Sequence, residues 1–348
     1  MFRSPFAKIC LLHSLLLWFA IPVSSQTFIS LSDKRAAIKN PKFYISEIID
    51  ARSNKEIVGI VQRGINNKPV IAQLKSGFQD EVRKCLTEFL QPKTDRSPLI
   101  IRVLKLNVFE RTLLTSETAI AELVVEFFKN TDWGLILVKS AGSTIMSNGL
   151  DVTRSHGRNI ELCFADCLSQ VNTVLSEQLL ASASTIAYKE LFKTPDVLDK
   201  YEYPIVDDTL LVKGVYKNFI EFRDNAPGIT SDFSIKEKAN YTGAAYDATR
   251  GVVKTLDGKV SNVWGYSDEK RIFIKLGEEF FEVFEEDGIF WFEGYDISDY
   301  KTNLSIPGKS LVMAAFTGYL FYQVQVGWNS RKVKYAINLG NGDLISLN

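Results

Sequence analysis

Three successive runs of alternating residues constrain this chain more than anything else in it. Pro98–Arg111 places Ile100, Leu104, Leu106 and Val108 on one face, and Ile101 and Val103 make the opposite face partly apolar. Thr118–Phe128 sends Ala119, Ala121, Leu123, Val125 and Phe127 one way, and Glu122 and Glu126 the other. Trp133–Met146 forms a third strand, after which Asn148-Gly149 turns the chain. The loops between the three are short. They therefore form an antiparallel meander, since a parallel pair needs a crossover of about a dozen residues or more.

Helices and shorter strands flank this block. Phe43–Ile49 and Glu56–Gln62 read as strands, parted by the turn-like Ala51–Asn54. Phe78, Val82, Cys85, Leu86 and Phe89 recur at helical spacing, which predicts an amphipathic helix over Gly77–Leu90, with Ser76 as its cap and Pro92 as its stop. A second helix is predicted over Asn159–Leu180. Its stripe runs through Ile160, Cys163, Phe164, Cys167, Leu168, Val171, Val174 and Leu175, with Glu161, Asp166 and Gln170 facing out. The order ββαβββα gives an α+β protein whose residues 42–192 are a two-layer α/β sandwich. In it an antiparallel sheet carries both helices on one face, because both must bury a stripe. Residues 26–41 have mixed charge and little periodicity, and read as a tether.

Residues 193–233 connect this half to a second one. Within the joint Gly214–Phe233, Gly214-Val215-Tyr216 ends a strand, and Phe219 and Phe222 share one face of a helical turn over Asn218–Arg223. Asn225-Ala226-Pro227-Gly228 stops that turn. From residue 234 to 348 the pattern is a mostly antiparallel β-meander, punctuated by Asp257-Gly258, Ser267–Lys270, Gly277-Glu278 and Asp287-Gly288. Strands fall near Gly251–Lys254, Lys259–Tyr266, Arg271–Leu276, Phe280–Glu285 and Ile289–Tyr295, and a closing hairpin turns around Gly340-Asn341-Gly342. Tyr216, Phe219, Phe222, Trp264, Tyr266 and Trp291 are the candidate contact surface or domain seam, as large rings bury much area in small β domains. The apolar segment 310–330 carries no charge. It reads as a buried helix or strand, with a membrane span as the alternative that its length admits.

The beginning of the chain addresses it for export. Arg3 and Lys8 precede an apolar run over Ile9–Ile21, and small residues near Ser25 and Gln26 suit cleavage, so residues 1–25 read as a signal peptide; an uncleaved anchor is the alternative. Cys85, Cys163 and Cys167 then remain, either as buried thiols or with one disulfide from Cys85 to Cys163 or Cys167. Forty-one basic and forty-one acidic residues cancel, which leaves no electrostatic footprint for nucleic acid. His156 is the one histidine left after cleavage and reads as a solvated loop or capping residue. A two-histidine metalloprotease motif is thereby excluded, and no nucleophile elbow, phosphate loop or dinucleotide fingerprint occurs. Ser267–Lys270 fits a Ser-x-x-Lys pattern but falls at a polar hairpin turn. No cofactor, metal site or catalytic residue is assigned.

Two resemblances add to this reading. The helix around Phe78–Phe89, the long strands and the closing helix resemble the small envelope domain of ABC-transport auxiliary and YajG-like lipoproteins over about residues 43–180, although this chain lacks their lipobox cysteine. Gly214-Val215-Tyr216, Glu221-Phe222, Asn225 and Pro227, followed by Trp264-Gly265-Tyr266 and aromatic hairpins, resemble uncharacterised exported proteins of Bacteroidetes-type bacteria. They imply a periplasmic or outer-envelope protein. Its expected function is a non-catalytic binding or assembly module with an envelope complex or lipid as partner. The alternative is a hydrolase acting on glycans through carboxylates such as Glu278-Glu279 or Glu285-Glu286-Asp287.

Overall fold

The computed structural model describes residues 26–32, 36–63, 68–112, 116–176, 185–207, 210–238, 249–260, 262–276, 279–295 and 332–347. The expected signal peptide, the Gly277-Glu278 turn and the apolar segment 310–330 lie outside the described residues. Among those described, no helix is long and apolar enough to cross a membrane. The protein is α+β, with two large sheets.

The first sheet is built on the predicted meander. Strands β5 (Ser97–Thr112), β6 (Glu117–Thr131) and β7 (Gly134–Gly149) pair antiparallel along nearly their whole length. The earlier strands are β1 (Gln26–Ile29), β2 (Phe43–Asp50), β3 (Gly59–Arg63) and β4 (Lys68–Leu74), and β8 (Thr185–Ile186) closes the far edge against β7. The sheet is mixed rather than purely antiparallel. Both β2 and β3 run parallel to β5, one beside each half of it, and β1 runs parallel to β4. For β2 and β3 the reason is the crossover between β4 and β5, whose helix Phe78–Cys85 and following turn Thr87–Phe89 supply the length that parallel pairing requires.

The expected tether is thus part of the sheet from residue 26. Carboxylates on both helices hold the residues just after β1. Leu31 N–H donates to Glu81 at 2.6 Å, and Ser32 donates to Glu161 Oε1 through N–H at 2.8 Å and through its hydroxyl at 3.0 Å. Glu161 is therefore buried instead of facing out. Nor does Ser76 cap the first helix. Gly77 takes the cap position at φ 82° with no side-chain cap, and the Ser76 hydroxyl bonds Glu81.

The long helix Ser155–Ser176 and the first helix share one buried cluster with the sheet. Val82, Cys85, Phe89, Ile160, Phe164 and Leu168 pack there on Phe43, Val103, Leu123 and Phe127. Fully burying a side chain of this size stabilises by about 1.5–3 kcal/mol. All three cysteines are buried thiols in this cluster, so the bridge from Cys85 to Cys163 or Cys167 is not formed. Cys163 faces the sheet, where its Sγ–H donates toward Ala121 O at 3.4 Å.

A β-bulge decides which side chains of β5 face the helices. The register with β6 shifts between Val103 and Lys105, so Leu99, Ile101 and Val103 face the helices before it, and Leu106 and Val108 after it. The single apolar face predicted through Ile100, Leu104, Leu106 and Val108 is broken there, because a bulge switches the parity of the strand.

The second sheet covers the other face of the first. Its path runs β18 (Leu344–Ser346), β17 (Lys332–Ile337), β16 (Ile289–Tyr295), β15 (Glu279–Glu286), β14 (Ile272–Leu276), β13 (Gly265–Ser267) and β9 (Gly214–Tyr216), all antiparallel. Strands β10 (Phe233–Lys238), β11 (Thr249–Thr255) and β12 (Gly258–Lys259) join through β11, which also pairs with β15. Asp287 at φ 53° and Gly288 at φ 79° make the tight β15–β16 turn that the Asp-Gly dipeptide predicts.

Candidate functional site: a cavity at the seam between the sheets

Glu122 and Glu126 occupy the face of β6 that alternation marks as polar. In the folded protein that face is an interface. Leu104 and Val124 from the first sheet share a cluster there with Tyr216, Phe222, Phe281, Phe292 and Tyr335 from the second half. The charges that remain are paired, as burial demands. Arg102 Nη1 donates to Glu126 Oε2 at 2.9 Å, and Lys105 Nζ lies 3.1 Å from Glu122 Oε2.

The joint supplies the wedge. Asn218 caps the short helix Phe219–Arg223 by accepting from Glu221 N–H at 3.1 Å, while the Glu221 carboxylate accepts from Lys217 N–H at 2.7 Å and Gly228 N–H at 2.8 Å. Burial pushes the Glu221 carboxyl up, and those two amides only partly offset it. The helix seats on Gly142 of β7, where a Cβ would stand 2.8 Å from Ile220 Cγ1. Phe219 meets Gly342 in the same way, with a Cβ there 2.7 Å from its ring.

Four of the six candidate rings gather at this wedge. Phe222 stacks on Trp264 at 4.7 Å, Phe219 lies 5.9 Å from Trp264, and Tyr216 meets Phe222 edge-on at 5.9 Å. Burial pushes the Tyr216 phenol up to about 12. Tyr266 and Trp291 lie elsewhere. Tyr266 stacks on Phe273 at 4.6 Å in a separate cluster, and Trp291 sits on β16 beside Phe284 with Lys334 Nζ 3.6 Å over its ring.

Beside the wedge a cavity of about 90 Å³ remains between the sheets. Its walls are mostly apolar, formed by Phe109, Ile120, Met146, Trp264, Leu276 and Leu344 among others, and Lys105, Glu122, Lys217 and Lys275 line it as well. The bulge aims Lys105 into this seam. Its ammonium donates to Gly342 O at 3.1 Å in addition to Glu122, and Asp343 Oδ1 lies 4.0 Å away. Burial opposes the charge on Lys105. Glu122 and Asp343 outweigh it and hold the ammonium above the usual lysine range. Burial likewise pushes the Asp343 carboxyl up, with Lys105, Ser53 and Asn341 only partly opposing it. Ser53 Oγ–H and Asn341 Nδ2–H donate to Asp343 Oδ2 at 2.7 and 2.9 Å, whereas Oδ1 has no hydrogen-bond partner among the described residues.

The remaining sequence candidates are structural. His156 is not solvated. It lies fully buried in the first turn of the long helix, where Nε2–H donates to Glu110 Oε1 at 2.6 Å, and Glu110 Oε2 accepts from Gln62 N–H at 2.7 Å. Glu110 ends up beneath the helix because it follows the bulge. Ser267 is buried and accepts from Glu269 N–H at 3.1 Å, while Lys270 is exposed, so that pattern is a hairpin turn.

The chain is thus an α+β protein whose two sheets close over a cavity lined by apolar and charged side chains. No family model and no curated protein matches it. Among solved structures it is similar to the crystal structure of protein XCC0632 from Xanthomonas campestris, of the family DUF330, at 13% identity and a TM-score of 0.25, with 45% of this chain and 94% of that chain covered.

Proposed function

We propose that this chain is a non-catalytic binding or assembly module of the cell envelope, exported by a signal peptide. The cavity carries the reading. Clefts between packed units, with apolar walls and a few convergent polar groups, are the usual ligand sites. This one has a lysine held charged at its wall, and its lining carboxylate is already tied to that lysine. The resemblance of residues 43–180 to auxiliary lipoprotein domains, and of the second half to exported Bacteroidetes-type proteins, supports the same address. In this reading residues 42–192 are the two-layer α/β domain, 193–233 the connector and 234–348 the β-rich domain, with the two helices' shared cluster supporting the first.

The glycan hydrolase reading finds less support in the placement of its carboxylates. Glu279 is buried at one end of β15, whereas Glu285 and Glu286 are exposed at the other, next to Asp287 in the turn. Seven residues of strand separate Glu279 from Glu286 by about 23 Å. A glycosidase pair stands about 5–9.5 Å apart. Fractionation of native cells with carbonate and detergent washes, followed by intact mass and affinity co-purification, tests the proposal. The expected product lacks the first ~25 residues and is recovered with an envelope complex or lipid. A clean, partnerless monomer in native extracts overturns the proposal.

A further inference from the structure

We propose that the far end of the first sheet carries a second site, a groove for a neutral disaccharide that stacks on Tyr188 and hydrogen-bonds to Glu47 and Asn130. The groove shares no lining residue with the seam cavity, and its role rests on the reading of the chain as a binding module.

The second sheet covers only part of the face it packs on. Further along β5 and β6, Ile100 and Phe128 pack instead with Leu135 of β7 and with Leu191, which belongs to the short turn Tyr188–Phe192 that follows β8. Beside that turn lies an open groove of about 570 Å³, lined by Ser46, Glu47, Ile100, Asn130, Leu135 and Tyr188 among others. Its volume sets the scale of the ligand. An apolar cavity of about 150 Å³ takes one benzene, or about 25 Å³ for each heavy atom. At that ratio the groove takes about 23 heavy atoms, the size of a disaccharide of two hexoses.

Its lining sets the chemistry. Phe192 braces the Tyr188 ring edge-on at 5.3 Å, and Tyr188 remains 49% exposed, which leaves ring surface free at the groove wall. A sugar ring presents C–H faces to such a surface and hydroxyls around its rim. The polar groups suit those hydroxyls. The Tyr188 hydroxyl donates to Glu47 Oε1, and Glu47 Oε2 has no hydrogen-bond partner among the described residues. The exposed Asn130 side chain is likewise without one, so its amide offers both donors and an acceptor. No basic side chain lines the groove. An anionic ligand would meet Glu47 with no counter-charge, and a small ammonium ion would pair with Glu47 and leave the remaining space unused. A neutral polyol engages the ring, the carboxylate and the amide together.

The test is calorimetric titration of the full chain at pH 7 with cellobiose, maltose, digalacturonate and butylamine. Fluorescence of Trp133, 87% exposed in the turn beside Gly134, is a second readout. At least one of the two neutral disaccharides is expected to bind with a dissociation constant of about 1 mM or tighter, and digalacturonate and butylamine at least about tenfold more weakly. Tyr188→Ala and Asn130→Ala are each expected to weaken that disaccharide about tenfold, whereas Tyr188→Phe, which keeps the ring, stays within about threefold of the parent. Absence of binding by both neutral disaccharides overturns the proposal, as does equal binding of digalacturonate or butylamine, or undiminished binding by folded Asn130→Ala. Should Tyr188→Ala fail to fold, Tyr188→Phe and Asn130→Ala still decide. Failure here with envelope partners still co-purifying removes the sugar and leaves the module, while disaccharide binding by a partnerless monomer does the reverse.

Discussion

Glu81 keeps a charge inside the protein because donors surround it. Burial works against its ionisation, but Leu31 N–H, Lys84 and Ser76 outweigh burial and hold the carboxyl below its ordinary range. A carboxyl depressed in the folded state adds stability above its unfolded value, near 4.5, and that stability is lost as pH falls through the folded value. Glu81→Gln is therefore expected to cost about 1.5–3 kcal/mol at pH 7. Denaturant titrations of both proteins below pH 4.5 should show that difference shrinking, and a gap constant with pH refutes the assignment. His156 offers a second test. Removing it by His156→Ala strands Glu110 in the core and is expected to destabilise by about 3 kcal/mol or more; a melting temperature unchanged from the parent shows that the pair contributes nothing. Neither role was legible in the sequence. A lone glutamate or histidine carries no sign of which backbone amide or carboxylate will come to it across the fold. Lys105 is the sharpest case. Strict alternation sets it on the face opposite Leu104, but no Gly or Pro marks the added residue that carries both into the seam.

At the scale of elements, periodicity served well wherever one face was buried against a single partner. The stripe of the long helix held through Ile160, Cys163, Phe164, Cys167, Leu168 and Val171. Burial pushes the Cys163 and Cys167 thiols well up, away from the reactive thiolate. Native protein is thus expected to leave Cys163 and Cys167 unlabelled by maleimide over hours and to label them at once in denaturant, read by intact mass; rapid native labelling of either overturns the buried placement. Pairing direction was less legible than element type. The meander's antiparallel strands follow from their short loops, whereas the parallel placement of β2 and β3 on β5 depends on how the intervening crossover returns, which local pattern does not encode. Residues 26–29 were obscure for a similar reason. Four residues are too few to show a period, and β1 gains its order from β4 and from the two helical carboxylates.

For the whole molecule, the joint was recognisable as a plug, because Phe219 and Phe222 fall on one face of a turn that Asn225 and Pro227 end. Its rings read as a contact surface or a domain seam, but which sheet face forms the other wall was not legible, since that face carries Glu122 and Glu126 on β6. The two halves share Phe222 and its neighbours in one cluster, so they are expected to melt as one unit rather than two. Phe222→Ala, losing a fully buried ring, should lower stability by about 3–5 kcal/mol and pull both halves down together. Calorimetry with two resolved transitions in the parent protein contradicts that coupling. Ser53 and Asp343, bonded at 2.7 Å, stand 290 positions apart, and Lys105 reaches Gly342 across 237. Such contacts carry a consequence in time. A chain made from one end to the other has its helices and first sheet complete long before the residues that close the seam exist, so an apolar sheet face must wait uncovered during synthesis. The interval between those two moments, rather than the finished protein, is where a chaperone has most to protect.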